Sequence, residues 1–144
     1  SYRQATVQEL AAEGATFDMV CSLEVIEHVP EPEAFLAEIC KCLRPGGLFV
    51  CSTMNRTPKS YLVAILGAEY VLGMLPVGTH DWSKFISPEE LKAMLKRAGF
   101  ANPSDPAEPA FRKAGLVLAD VFGSWKLDRK DLDVNYIMST IRQP

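Results

Sequence analysis

The chain has 144 residues, of which 48% are hydrophobic and 23% are charged. This composition is typical of a folded globular protein and excludes an intrinsically disordered chain. Its formal net charge is -3 at neutral pH, and no dense basic cluster interrupts the acidic balance. We therefore expect a single domain with a sizeable core and no nucleic-acid partner.

The first half of the chain alternates between strand and helix signals. A short strand is predicted at Tyr2–Ala5, and a helix follows at Val7–Glu13, before a glycine. A buried strand is predicted at Phe17–Leu23 and a helix at Pro32–Leu43, where apolar residues recur at helical spacing. Another buried strand is expected at Leu48–Thr53.

The second half continues this alternation and then changes character. Ser87 and a following proline predict the start of a helix that runs to Arg97. A proline-rich irregular loop is expected over 102–110, followed by an antiparallel pair of strands at Gly115–Phe122 and Val134–Ile141. The order predicts an α/β fold with a mostly parallel sheet, helices on both faces and a terminal antiparallel pair.

Three polar residues follow the strand that ends at Leu23. Glu24, Glu27 and His28 would share one face if the chain made a helical turn there. Ligands bind at the carboxyl ends of strands in open α/β sheets, and two carboxylates with an imidazole could hold a divalent cation. The alternative is structural, with solvated or capping glutamates and a histidine that only donates a hydrogen bond.

An apolar segment of 15 residues, 61–75, carries a single charge. It is too short to cross a membrane, because a spanning helix needs about 20 apolar residues. It could be a buried core helix or an interfacial helix that touches lipid. Its position as an addition to the basic alternation favours membrane contact.

Several stretches together resemble class I S-adenosylmethionine-dependent methyltransferases. They include the pairs at Phe17–Asp18 and Glu27–His28 and the run 43–47, Leu-Arg-Pro-Gly-Gly. Within that superfamily, the stretches 52–60, 67–70, 76–85 and 133–136 are similar to the ubiquinone-biosynthesis O-methyltransferases. The resemblance covers residues 1–100 almost continuously and returns near the end of the chain.

The resemblance implies a Rossmann-like class I sheet and S-adenosylmethionine as methyl donor. It also implies O-methylation of catechol hydroxyls on polyprenylated ubiquinone precursors. Leu23 falls where the chain of family members runs past the methyl donor. Thr6 and Val7 fall near the position at which such folds contact the adenine ring of the donor. Glu24, Glu27 and His28 match the family's pattern for a divalent cation such as Mg²⁺.

The resemblance further implies how the protein is organised and where it acts. It implies one methyltransferase domain over residues 1–144, with a membrane-associating insert at 58–76 and lipid contact through residues 61–75. The glycine-rich turn and acidic ribose-binding residue of the family are not in this sequence, so we expect a partial domain. A peripheral position on the matrix side of the mitochondrial inner membrane is expected, or alternatively on the bacterial inner membrane from the cytoplasm.

Two mechanisms for the reaction remain open at this point. A cation could lower the pKa of the catechol hydroxyl and orient it, with Glu24 as an essential residue, or His28 could act as general base without metal. His80 could line the acceptor pocket or only make local hydrogen bonds, and Lys59 could be a base if desolvated.

Two other functional assignments compete with this one. The protein could methylate another apolar small molecule. It could instead be a truncated, non-catalytic domain that binds partners in a biosynthetic complex. A ubiquinone-biosynthesis complex is also a possible partner of the enzyme itself.

Overall fold

One mixed β-sheet organises the computed structural model, which describes residues 2–71, 73, 76–101, 111–119 and 123–143. Six strands form this sheet: β1 (Phe17–Leu23), β2 (Leu43–Met54), β3 (Phe100–Ala101), β4 (Arg112–Leu118), β5 (Trp125–Asp128) and β6 (Asn135–Arg142). Their order is β1-β2-β6-β4-β5, and β3 pairs with β6. Glu24, which directly follows β1, therefore stands beside the end of β2.

Within the described ranges, four α-helices connect or flank these strands: α1 (Val7–Ala12), α2 (Pro32–Lys41), α3 (Pro58–Ser60) and α4 (Pro88–Arg97). The chain begins α1, α3 and α4 with capping boxes at Thr6, Thr57 and Ser87, in which each hydroxyl accepts a backbone N–H of the first turn. Short 3₁₀ turns lie at Ile26–His28 and Trp82–Lys84.

The sheet agrees with the predicted Rossmann-like class, with two differences in detail among the described strands. Only β1 and β2 pair in parallel, whereas every pairing of β6, and that of β4 with β5, is antiparallel. A short connection accounts for the antiparallel pairing of β4 with β5, whereas the other antiparallel pairings arise because β6 returns from the end of the chain to lie between β2 and β4. The second difference concerns the helices, which were predicted on both faces. Among the described residues, α1, α2 and α4 pack next to one another and contribute to one apolar cluster on one face of the sheet.

That cluster is the main core of the described chain. The helices contribute fully buried side chains such as Leu36 and Leu91, which pack on Phe49 of β2 and Met138 of β6. Phe49 also stacks on Phe100, with 5.2 Å between the ring centroids. On the opposite face of the sheet, apolar side chains such as Met19 and Leu48 are exposed.

The predicted elements agree with the structure in most places. The bounds of β1 are those predicted, and the helices differ from the prediction by one or two residues at their ends. The strand predicted at Tyr2–Ala5 is wrong: these residues pair with no described strand, and a β-strand needs a hydrogen-bonded neighbour. The loop predicted at 102–110 and residues 120–122 of the predicted strand lie outside the described residues.

The apolar segment, predicted as one helix over 61–75, is π-helical from Tyr61 to Val71 and continues directly from α3. Residues 72, 74 and 75 lie outside the described part. Most of its large apolar side chains are exposed, whereas Ala64 and Ile65 pack against Met54 and Phe85 in a small second cluster. In the described residues, none of the helices has the length and hydropathy to cross a bilayer.

Candidate active site at the carboxyl end of β1

Glu24 is the first residue after β1 and has an unusual backbone conformation. Its φ is +53°, the only positive φ of a non-glycine residue among the described residues. This left-handed conformation costs on the order of 1 kcal/mol for a residue with a Cβ, and such strain is concentrated at functional sites. Hydrogen bonds from the Glu24 backbone N–H to the Ser52 carbonyl oxygen (3.1 Å) and Oγ (3.2 Å) hold the turn on β2.

The Glu24 carboxylate accepts a hydrogen bond from Asn135 and faces a second carboxylate. Asn135, the first residue of β6, donates from Nδ2 to Oε2 of Glu24 at 3.1 Å. The pKa of Glu24 is raised because neighbouring atoms displace water from its carboxylate and Glu27 interacts with it. The hydrogen bonds with Ser52 and Asn135 oppose that rise. The site therefore disfavours negative charge on Glu24 unless a cation or a proton compensates it.

Glu27 is the buried partner in this pair. It lies in the 3₁₀ turn Ile26–His28, is 4% exposed, and accepts a hydrogen bond from Thr53 Oγ1 at 2.8 Å. A carboxylate this deeply buried with a single neutral hydrogen bond is costly unless another charge pairs with it. Two elements thus orient the two glutamates: β6 through Asn135 and β2 through Thr53.

His28 is not assembled into a three-ligand metal site with the glutamates. Its side chain is exposed at the end of the 3₁₀ turn, and within the described ranges no three His, Cys, Asp or Glu side chains converge around a point. The turn is too short and too tightly wound to put residues 24, 27 and 28 on one helical face. The residues that fit a hard cation here are Glu24 and Glu27, since Mg²⁺ commonly takes one or two protein carboxylates and completes its shell with other oxygens.

The residues expected to contact the methyl donor occupy two places. Leu23 ends β1 and is 55% exposed, beside Glu24. Thr6 caps α1, where its hydroxyl and backbone N–H are bonded to Glu9, and Val7 packs against the core. Thr6 and Val7 can therefore offer a contact surface but no spare side-chain donor.

A cavity of about 550 Å³ opens on the other side of Glu27. Its wall is formed by the 3₁₀ turns, the start of α2 and one side of α4, with apolar contributions from Ile26, Phe85 and Met94. Two ion pairs border it, Arg97 with Glu33 and Arg56 with Glu90. Neither Glu24 nor His28 lines this cavity, so Glu27 alone connects it to the carboxylate pair.

The two side-chain alternatives of the sequence analysis, His80 and Lys59, have local partners. His80 donates its backbone N–H to Glu69 Oε1 at 2.8 Å, and its ring Nδ1 lies 2.9 Å from the same oxygen, which agrees with a local structural role. Lys59 forms ion pairs with Asp131 and Asp133, which raise its pKa and make it a poor general base.

Sequence reasoning missed three residues of the site around Glu24 and Glu27, and one residue outside that site. Asn135 lies 111 residues beyond Glu24, and only the antiparallel register of β6 on β2 brings the two together. Ser52 and Thr53 read as ordinary strand residues. The residue outside the site is Glu69, which lies in the apolar segment and binds His80. The sequence did offer a signal for its role, because a single charge within an apolar segment requires a partner when it is buried.

Comparisons with known proteins agree with this fold and chain order. Residues 1–104 match a family model described as a methyltransferase domain. The chain is 48% identical to the ubiquinone biosynthesis O-methyltransferase of Cereibacter sphaeroides over 141 residues, which are 98% of this chain and 54% of that protein. The protein of the same name from Roseobacter denitrificans has the same identity and coverage. The chain thus spans about half the length of these relatives.

Solved structures show the same fold at low sequence identity. A methyltransferase of Thermotoga maritima described as S-adenosylmethionine-dependent superimposes with a TM-score of 0.63 at 16% identity, over 90% of this chain and 58% of its own. A magnesium protoporphyrin IX methyltransferase from Synechocystis has a TM-score of 0.53 at 15% identity, over 94% and 49%. These findings confirm the resemblance found in the sequence: the chain belongs to the methyltransferase domain family and, within it, resembles the ubiquinone biosynthesis O-methyltransferases.

Proposed function

We propose that the protein transfers a methyl group from S-adenosylmethionine to a catechol hydroxyl of a polyprenylated ubiquinone precursor. The observation that carries the proposal is the Glu24–Glu27 carboxylate pair, held in a strained turn at the carboxyl end of β1. Open α/β sheets bind their ligands at this edge. The names of the relatives described above support O-methylation in ubiquinone biosynthesis. The catechol acceptor with a polyprenyl tail is what the family resemblance implies.

The methyl donor would lie beside Leu23. This exposed side chain ends β1 next to Glu24, so a donor resting on it would bring its methyl group near the carboxylate pair. Thr6 and Val7, at the start of α1, would contact the flat adenine ring through apolar atoms, because their polar groups already serve the helix cap.

The acceptor oxygen must lose a proton as it forms its bond to the methyl carbon, while the sulfonium sulfur keeps the electron pair of the broken bond. A phenol resembles tyrosine, with a pKa of about 10, and is mostly protonated at neutral pH. When no cation occupies the carboxylate pair, the raised pKa of Glu24 lies closer to that of the phenol and makes this carboxylate a better proton acceptor than an ordinary glutamate. Asn135 orients that carboxylate, and exposed His28 is the alternative base.

A divalent cation fits this donor set through Glu24 and Glu27. Both are oxygen ligands, and both lack a cationic partner among the described residues. The pKa of Glu24 is raised chiefly because its carboxylate is partly removed from water, and in addition because Glu27 lies close to it. When bound there, Mg²⁺ would supply Lewis-acid chemistry to a catechol oxygen. His28 would lie outside this two-carboxylate site.

The substrate's tail implies contact with a membrane. The π-helical segment exposes Leu62, Val63, Tyr70 and Val71, each more than half accessible. An interfacial position of this segment would bring the protein to a head group whose polyprenyl tail stays in the bilayer. We infer a peripheral protein, on the bacterial inner membrane or the matrix face of the mitochondrial inner membrane. The bacterial origin of both relatives favours the former, and other enzymes of ubiquinone biosynthesis are the expected partners.

Calorimetric titration with S-adenosylhomocysteine, with and without Mg²⁺, tests donor and metal binding separately. We expect binding of the nucleoside in both conditions and additional heat from Mg²⁺ that disappears in Glu24→Gln. The control is Glu31→Gln, which removes the same charge as Glu24→Gln. Glu31 is exposed, and its side chain makes no cap hydrogen bond with α2. Absence of nucleoside binding would contradict the donor assignment, and Mg²⁺ heat that survives Glu24→Gln would contradict the metal assignment.

A further inference from the structure

The cavity of about 550 Å³ behind Glu27 has an apolar middle along α4. We call it the α2–α4 cavity. Four residues of α4 line it, and their spacing of three or four residues puts them on one face of the helix: Glu90, Ala93, Met94 and Arg97. Ala93 and Met94 form the middle of that face, with a charged residue at each end. The volume lies within the range of about 300–1,000 Å³ that is usual for the binding sites of small molecules.

Ion pairs neutralise the charged ends of this helix face. Arg97 donates from Nε to Glu33 Oε2 at 3.2 Å, which joins the end of α4 to the start of α2. Glu90 pairs with Arg56, which follows β2, so the first turn of α4 is joined to that strand. Each of these charges has a partner of opposite sign within the protein. The ends of the α4 face therefore do not call for a charged ligand.

The rest of the wall offers a ligand few hydrogen bonds. Pro30 and Pro32 have no backbone N–H to donate. Ser83 Oγ already donates to Asp81 Oδ1 at 2.6 Å, and Lys84 is exposed to solvent. Apart from Glu27, the fully buried residues of the wall are apolar: Ile26, Phe85 and Ile86. A polar ligand would lose its hydrogen bonds to water here without replacing them, so the wall favours a hydrocarbon.

The α2–α4 cavity lies between the carboxylate pair and the apolar segment. Glu27 lines the cavity and also interacts with Glu24 in the candidate site. Phe85 lines the cavity as well, and it packs with Ala64 and Ile65 of the segment in the second apolar cluster. A ligand that fills the cavity therefore touches the candidate site through one residue and is separated from the segment by one aromatic side chain.

We infer that the α2–α4 cavity holds the part of the acceptor's isoprenoid chain next to the aromatic ring, while the ring lies at the Glu24–Glu27 pair. The inference rests on the proposed function and deepens it, because it names where the start of the tail binds. An isoprenoid chain is a hydrocarbon that joins a polar ring to a tail in the bilayer, and the cavity joins the carboxylate pair to the segment 61–71 in the same order. Burial of the chain adds affinity, and a chain fixed beside the ring orients the hydroxyl for attack.

Calorimetric titration with short ligands tests the cavity in solution, without vesicles. The probes are a tail-free catechol, the same catechol with a geranyl chain, and geraniol, which carries the chain alone. Ala93→Leu fills the middle of the cavity with another strong helix former. Ala34→Leu is the matched control, because it makes the same substitution at an exposed position of α2 outside the cavity.

We expect the wild type and Ala34→Leu to bind the geranyl catechol at least about tenfold more tightly than the tail-free catechol, because the chain leaves water. Ala93→Leu should lose this difference and should also lose the binding of geraniol. Ala93→Val fills less of the cavity and should lose part of the difference. A geranyl chain that adds no affinity in the wild type, or whose contribution survives in Ala93→Leu, would overturn the inference.

Turnover separates a failure of the inference from a failure of the proposed function. The ratio of kcat/KM for the geranyl catechol to kcat/KM for the tail-free catechol should be roughly tenfold lower in Ala93→Leu than in Ala34→Leu. An equal ratio in the two variants would contradict the inference and leave the reaction intact. If the wild type methylated neither catechol, the proposed function would be contradicted, whereas geraniol binding that is lost in Ala93→Leu would still support an isoprenoid site in the cavity.

Discussion

At the scale of single residues, the candidate site is a carboxylate pair with too much negative charge for its surroundings. Glu24 has a strained backbone, a raised pKa and a neighbouring glutamate that is buried. Each of these features costs stability, and none has a compensating cation in the described part of the chain. Such costs are retained where function needs them.

We predict that Glu24→Gln stabilises the protein at neutral pH. The folded-state pKa of Glu24 is raised, so folding is favoured while this group is protonated and loses stability as pH rises through that pKa. A neutral glutamine keeps the hydrogen bond from Asn135 and removes the repulsion from Glu27. In thermal melts, Tm should rise relative to Glu31→Gln at neutral pH, and the difference should shrink under acidic conditions. A lower Tm at neutral pH would be contrary to this prediction.

A second prediction at this scale concerns Asn135. Asn135→Asp replaces the amide donor with a third carboxylate beside Glu24, which should raise the Glu24 pKa further. The acidic limb of the pH–rate profile should therefore move to higher pH, with a lower kcat at neutral pH. A uniform loss of rate across the pH range would indicate a purely structural role for Asn135.

At the scale of elements, the sequence predicted what local patterns determine and missed what distant register determines. The bounds of β1 followed from its apolar run, and α4 followed from the serine, proline and glutamates at its start. The contacts of Glu24 with Asn135 and of Glu69 with His80 depend on elements that meet only after folding. Within the described residues Glu24, Glu27 and His28 do not converge on one point, because the chain forms a short 3₁₀ turn, in which residue spacing differs from that of an α-helix.

The π-helical segment should depend on the buried charge of Glu69. Although burial opposes ionisation, hydrogen bonds from Gly78 and His80 lower the pKa of Glu69. Its carboxylate therefore stabilises the fold above the unfolded-state pKa, and this contribution is lost as pH falls. We predict that Glu69→Gln lowers Tm at neutral pH, whereas Glu31→Gln does not. Equal melting of the two variants at neutral pH would show that the Glu69 contacts do not hold the segment in place.

At the scale of the whole molecule, the exposed side of the segment predicts an interaction with lipid. Leu66 is 38% exposed, whereas the adjacent Ile65 is 9% exposed and belongs to a core cluster. We predict that Leu66→Glu lowers the fraction of protein that sediments with vesicles and leaves Tm unchanged. Ile65→Glu should unfold the protein. Gln8→Glu adds the same charge on α1 and serves as control. Unfolding by Leu66→Glu would show that the segment is part of the core.

The central claim is that Glu24 takes part in methyl transfer to a catechol oxygen. The most direct test is the rate at which the protein methylates a prenylated catechol with S-adenosylmethionine, measured for the wild type and Glu24→Gln under saturating donor. We predict a loss of roughly 100-fold or more in kcat, the range that loss of a general base or of a metal ligand produces, together with an unchanged or higher Tm. A folded Glu24→Gln variant with the turnover of the wild type would contradict the claim.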